Sequence, residues 1–594
     1  MIAIFLMWWT FALVAARPRS EEGQKDYGDS GYTLILGTLP LAYAATGFLG
    51  LVLTQLSLLH YSITDISAAI AGATTIFRRR SLGALRQSTR VSIDDLHNII
   101  NGQCGNKGLW RTIGLICILI VVVSIGPINQ PDAIDYHVGY PKQFLLHGGN
   151  LRDGGLHQGL IGLGDFANLA FIQEHTDWLI RSAQALALIP LVLLLSRHGT
   201  RPSFLVAFLI APVFIGWVSV GKPMLLGDSC IAATYLCWKI KPTWERSAFV
   251  LIAIISGISF KVSAVLISAP IAIDMCCHLY TSKQGHRGRI YQGNLHWLIA
   301  LSAVMLISLF AYRYEITGNP LYPLASHLFT PHNQQAIGFE EYLRNFSRDS
   351  FLFPLSLFMP TSLGLLASTL GPCIGLVCIY QCIQMPSADQ QSRQIHYVAL
   401  GQALLLLLFG QGRADYYAAP IILLLSNVSP GNPKHVFSEK YLFLKPGFQG
   451  LLIGQALLFI LMATTSIYQT FIAATSPQLA LRQWAYGYDA TQQLERFEPP
   501  HLNLAFRTPR LFYKDGYIDQ DRFLLCLSEQ VNLANSYPHA VSQCMRLLGA
   551  KSVMTTSGAL KSAEEFSCTS TKATLGQRNP FNNKKVDVDI CTQS

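Results

Sequence analysis

Runs of about 15 to 25 predominantly apolar residues recur along most of the chain, and they constrain the fold more than any motif does. In hydrocarbon a backbone finds no water to bond, so runs of this length cross as helices. Read this way the sequence predicts about fourteen spans, near 2–16, 33–56, 61–77, 112–126, 178–196, 203–219, 224–240, 247–259, 262–278, 294–312, 362–383, 397–409, 418–429 and 451–473. Of the 594 residues 51% are hydrophobic and only 13% charged, which excludes a soluble protein of this length. The expected fold is an all-α polytopic membrane protein.

A formal charge of +10 raises the question of a nucleic-acid partner, but the basic residues sit in short loops between apolar runs. They read instead as topology signals. The loop 78–111, with Arg78, Arg79, Arg80, Arg86, Arg90, Lys107 and Arg111, falls on the cytoplasmic side, so the span 112–126 exits outward. The segments 127–177 and 314–350 then become outer loops, the first with two weakly amphipathic pieces, 140–147 and 160–173, suited to lying along the membrane surface. Ile2 to Ala16 has no basic residues ahead of it and reads as a retained first helix, with signal-peptide cleavage as the alternative.

Beyond residue 473 the chain becomes polar, with a helix-then-strand pattern at Ala540–Leu548, Gly549 and Ser552–Thr555. It is expected to be a small α/β extracytoplasmic domain, 474–594, following an N-terminal part, 1–111, and a membrane module, 112–473. Its four cysteines, Cys526, Cys544, Cys568 and Cys591, allow two disulfides in any of three pairings, or four free thiols.

The stretch Asp132-Ala133-Ile134-Asp135-Tyr136-His137-Val138-Gly139-Tyr140-Pro141-Lys142 follows directly on an apolar run. Carboxylates, a histidine and a lysine that close together, where a chain leaves a bilayer, point to chemistry or ion handling. Lys222 and Lys261 stand at or inside apolar spans, where an unpaired ammonium is costly, and Asp228 shares that setting.

An outer loop that opens with an Asp four residues before a Tyr, here Asp132 and Tyr136, resembles the GT-C superfamily of polyprenyl-phosphate-sugar glycosyltransferases. The pattern Asp-Ala-Ile-x-Tyr-His, with Pro141-Lys142 and then Leu145, Leu146 and Gly148, is similar to a mostly uncharacterised bacterial branch of it. Gly221-Lys222-Pro223 with Gly227-Asp228, Lys261 in Ser259–Ser263, and the turn Gly318-Asn319-Pro320 to Pro323 fit the same branch. The resemblance covers residues 110–430. It departs at Ala133, where many members carry an acidic residue, and this leaves open both a divalent metal as cofactor and a non-catalytic relative.

The resemblance implies an inverting transfer of a sugar from a polyprenyl phosphate to a glycan, lipid or protein acceptor outside the cytoplasmic (inner) membrane. Such a transfer needs a carboxylate to take the acceptor's proton, for which Asp132 is the candidate with Asp135 beside it. It also needs cations opposite the departing phosphate, for which Lys142, Arg152, Lys222 and Lys261 are available. Tyr136, His137, Asp228, Asn319 and Arg413 complete the candidate substrate contacts. Each has a plainer role open to it: solvated acids for Asp132 and Asp135, loop ordering for His137, headgroup anchoring for Lys142 and Arg152, a structural pair for Asp228 with Lys222, snorkelling for Lys261, and an ion pair within its loop for Arg413 with Asp415. The rival reading from another class is a transporter or flippase of a lipid-linked or anionic substrate, using the same intramembrane charges.

Overall fold

The apolar runs fold as helices that stop or break where proline, glycine or a charge interrupts them. The computed structural model describes residues 1–16, 27–100, 107–149, 157–197, 200–281, 293–331, 336–338, 340–341, 354–359, 369–385, 388–409, 413–426, 444–505, 509–514, 516–518, 520–530, 536–556, 558, 560–576 and 584–593. The chain is mostly helical, with one small sheet near its C-terminus. Among the described residues Gly31–Gln55, Asp177–Arg197, Asn294–Thr317 and Pro446–Thr475 are long and apolar enough to cross a membrane. Shorter apolar helices, among them Ile2–Ala15, Ile63–Phe77 and Ala264–Tyr280, accompany them, and together they indicate a membrane protein.

The helices depart from the sequence expectation in places with a local cause. The run 203–219 is two helices, Pro202–Leu209 and Pro212–Val220, because Pro212 lacks the N–H that would continue the first ladder. The basic segment 78–111 holds the helix Leu82–Ile100 rather than a simple loop. The start of the expected outer loop at Tyr314 still belongs to the helix Gly293–Thr317, and 342–350 lies outside the described residues.

Tyr27–Gln55 is the central element, packed by Ile2–Ala15, Leu82–Ile100, Met224–Ile240 and Trp244–Phe260. One continuous apolar core reaches from Ala3 to Leu511. On the central helix Gly47 and Gly50 admit the segment 163–169 at backbone distance: a Cβ on Gly47 would stand 1.7 Å from the Leu163 carbonyl oxygen, and one on Gly50 2.7 Å from that of Phe166. This corrects the surface-lying expectation for 140–147 and 160–173. The helices Gly139–Leu146, Leu163–Phe166 and Asn168–Gln173 are largely buried in protein: the two glycines admit 163–169, while Gly139–Leu146 is covered by Ala133–His137, Asn168–Gln173 and Arg510–Phe512.

The polar tail carries four strands, β1 (His501–Asn503), β2 (Ser552–Thr555), β3 (Phe566–Leu575) and β4 (Lys584–Gln593), in the order β1-β2-β4-β3. β1 runs parallel to β2, and the other neighbours are antiparallel. All of β2 is buried since both sheet faces are covered: Val553 packs with Phe523, Val541 and Met545 on one side, Met554 with Ala490, Leu494 and Ile590 on the other. The expected helix and strand are present as Tyr537–Leu548 and β2, joined through Gly549 at φ 73°. Cys526 is bonded to Cys544 across two helices, and Cys568 to Cys591 across the β3–β4 pair.

The close approach at Gly47 gives a direct test. Gly47→Val forces a side chain against backbone and is expected to destabilise by about 3 kcal/mol, the upper end for overpacked sites. Gly72→Ala, with nothing within 4 Å of the added carbon, is the matched control and is expected to be near neutral. Thermal unfolding in detergent reads both, and equal melting temperatures would contradict the packing described.

Candidate functional site

The segment leading into the site is fixed before the first candidate residue is reached. Arg181, fully buried, donates to the carbonyls of Val123 (2.6 Å) and Pro127 (2.8 Å), closing the C-terminal end of Lys107–Ser124, whose last carbonyls have no helical partner. Thr470 donates to the Ile125 carbonyl at 3.0 Å, and Asn129 Nδ2 to Gln469 Oε1 at 3.3 Å. Residues Ala133–His137 then form a single π turn, a geometry that is rare and frequent at functional sites.

Asp132, at the head of that turn, meets charges from two other breaks in the bundle. Its carboxylate is ion-paired with Lys222 and lies 3.8 Å from Arg413 Nη1. Lys222 Nζ is also 4.0 Å from Asp415 Oδ2, and Arg413 Nε is 3.3 Å from Asp415 Oδ1. Lys261 Nζ stands 4.4 Å over the Tyr416 ring and 3.7 Å from Met224 Sδ, within electrostatic reach of Asp415 and Asp228. Lys222 follows the left-handed Gly221 that ends Pro212–Val220, and Lys261 is the extended residue ending Trp244–Phe260. Both cations therefore sit at helix C-termini, where the backbone dipole favours positive charge. Five sequence candidates, Asp132, Lys222, Asp228, Lys261 and Arg413, are thus brought together.

Burial by itself would raise the Asp415 pKa, but Arg413, Lys222 and Lys261 hold it below the usual carboxylate value. The cluster contains three carboxylates and three cations. An anion entering it must replace a carboxylate, and Arg413, at 47% side-chain exposure, is the cation that it meets before Lys222, at 9%.

Asp135 faces another way. It is buried and ion-paired with Arg510, from the short helix Arg510–Phe512 of the polar tail, with His157 Nε2 at 4.0 Å. The Arg510 guanidinium also lies 4.4 Å over Tyr140, while Gln143 Nε2 donates to the carbonyls of Arg510 (2.9 Å) and Tyr513 (3.2 Å). The tail is thereby fastened to the segment 135–143, and Asp135, expected as a catalytic carboxylate, has a charged structural partner.

His137, also buried, is held in one orientation. Its Nδ1 is 2.7 Å from Asp165 Oδ1, while Asp165 Oδ2 accepts from the Gly162 N–H at 2.9 Å. Asn168 Nδ2 donates to the His137 carbonyl at 2.8 Å, and Tyr43 OH to Asn168 Oδ1 at 3.3 Å. The Tyr136 ring lies against His137, with centroids 4.1 Å apart. Burial lowers the His137 pKa although Asp165 works against it.

The remaining candidates are placed apart from the Lys222 cluster. Lys142 stands on Gly139–Leu146 near Asp177 and Lys514. Asn319 uses its amide on its own turn, donating to the Leu324 carbonyl and accepting from the Leu321 N–H, both at 2.9 Å. Arg152 lies outside the described residues. Sequence reasoning missed Asp165, Asn168 and Arg510, which no spacing connects to the Asp132 stretch. Among the described residues no group of three or more His, Cys, Asp or Glu side chains could hold a metal ion.

The Arg510–Asp135 pair yields a stability prediction. Arg510→Ala takes the guanidinium away from a buried carboxylate and is expected to cost about 3–5 kcal/mol, whereas adding Asp135→Asn to it returns a substantial part of that loss. Unfolding curves of the two single variants and the double variant measure the coupling. Strictly additive effects would mean that the pair does not join tail to loop.

Comparison with known proteins is sparse where function is concerned. No curated protein matches the chain, and no solved structure does. The family model for the DUF1420 N-terminal domain matches residues 78–482 of the 594, so the chain belongs to the DUF1420 family.

Proposed function

We propose that this protein is an integral membrane glycosyltransferase of GT-C type, taking a sugar from a polyprenyl-phosphate donor and passing it to a glycan, lipid or protein acceptor on the extracytoplasmic side of the cytoplasmic membrane. The observation that carries the reading is the meeting of Lys222 and Arg413 with Asp132, and of Lys261 with the Tyr416 ring beside them, at breaks between apolar helices. Irregular backbone inside an apolar bundle is tolerated where it lines a cavity, and cations there suit a phosphate leaving group. Asp132 holds Lys222 near Arg413 until a phosphate replaces it. Two disulfides in the tail support an oxidising compartment for it, in keeping with the alternation of basic loops that puts 474–594 outside and gives about fourteen spans.

The test is donor turnover by the purified full-length chain, with labelled polyprenyl-phosphate hexoses and pentoses. Lys222→Ala is expected to weaken donor binding at least tenfold, the effect of losing roughly 1.4 kcal/mol from a charge-assisted contact. Should no donor be consumed while proteoliposomes move the intact lipid between leaflets, the transporter reading takes its place.

A further inference from the structure

We infer that His137, oriented by Asp165, is the catalytic proton acceptor of this site, with Asp132 serving to organise the cations; the inference rests on the glycosyl-transfer reading. The two side chains differ in what remains free on each. Asp132 is engaged by Lys222 and approached by Arg413. His137 has one nitrogen fixed and one open: Nδ1 faces Asp165, while Nε2 is buried and has no hydrogen-bond partner among the described residues. A carboxylate that only accepts sets the tautomer, placing the proton on Nδ1 and leaving the Nε2 lone pair bare. A buried nitrogen without a partner requires an explanation, and a substrate hydroxyl supplies one.

The surroundings keep that arrangement. Asp165 is fixed by the Gly162 N–H and faces Arg313 of the helix Gly293–Thr317, while Asn168 fixes the His137 backbone. The charges acting on His137 are Asp165, Lys222 and Asp132, so it lies within electrostatic reach of the cation cluster. A base, a carboxylate that orients it and an unpartnered nitrogen within electrostatic reach of the cations are the components by which hydroxyl groups are activated elsewhere.

In the step itself the acceptor's hydroxyl oxygen bonds to the anomeric carbon as the bond from that carbon to the phosphate oxygen breaks. The electron pair of the broken bond stays on the phosphate, opposite Lys222 and Arg413. The hydroxyl proton passes to Nε2, and Asp165 balances the imidazolium until solvent takes the proton.

Two measurements test the assignment. In full-length protein labelled with ¹⁵N-histidine and held in nanodiscs, the resonance lost in His137→Gln is expected to report a neutral ring with Nδ1 protonated at pH 7, and Asp165→Asn is expected to weaken that tautomer preference. A ring protonated on Nε2, or a cationic one, at that pH overturns the inference. With a polyprenyl-phosphate-linked [¹⁴C]hexose as donor and glycerol as acceptor, His137→Gln is expected to lower kcat about 100-fold or more and to remove the acid limb of the pH profile. In the wild type that limb falls below the ordinary histidine value of roughly 6.5, because burial keeps the ring neutral further into acid. Asp132→Asn is expected to act mainly through donor KM. Undiminished kcat in both His137→Gln and Asp165→Asn overturns the inference. If the wild type turns over no donor, the glycosyl-transfer reading falls, while the tautomer measurement still decides whether His137 is set up as a base.

Discussion

Charge inside an apolar helical body has to be matched, and that requirement organises this protein from its Asp132 turn to its tail. An ammonium or carboxylate out of water is expensive unless it is paired, capped by a dipole or satisfied by hydrogen bonds. Lys222 meets Asp132, Arg510 meets Asp135, and Arg181 spends its donors on the end of a helix. Three short stretches of irregular backbone, at 132–137, 221–223 and 413–417, come together because each brings a charge that another one answers. The site follows from the same rule as the fold.

Much of the helical framework was legible because apolar length is a strong signal, and Lys222 and Lys261 were legible because each interrupts such a run. Asp135 shows where that reasoning stops. Its partner lies 375 residues away, in a segment whose polarity suggested a separate unit, and no local pattern encodes so distant a pairing. The pieces at 140–147 and 160–173 showed the weak amphipathicity of surface helices, yet they are buried, for reasons written elsewhere in the chain: Gly47 and Gly50 clear the space for 163–169, and Arg510–Phe512 packs on Gly139–Leu146. Asp165 was hidden in the same way, since its meaning depends on where the loop folds back.

The family match, 78–482, encloses the Asp132 and Lys222 cluster but neither the central helix Tyr27–Gln55 nor Arg510. Both of these hold the matched part in shape. The central helix receives Leu163 and Phe166 through its glycines, and Tyr43 on it steadies Asn168 and so the histidine turn. Arg510 neutralises Asp135 one turn away from Asp132. The flanking regions are therefore parts of the site's support.

Because Arg510 follows the last long apolar helix, the ribosome makes it after every element that surrounds Asp135. A nascent chain carries Asp135 without its guanidinium partner until the segment holding Arg510 has emerged and settled against it. Completion of this charge pair is thus ordered by synthesis itself: the helices that surround Asp135 are made first, and the polar tail supplies the cation.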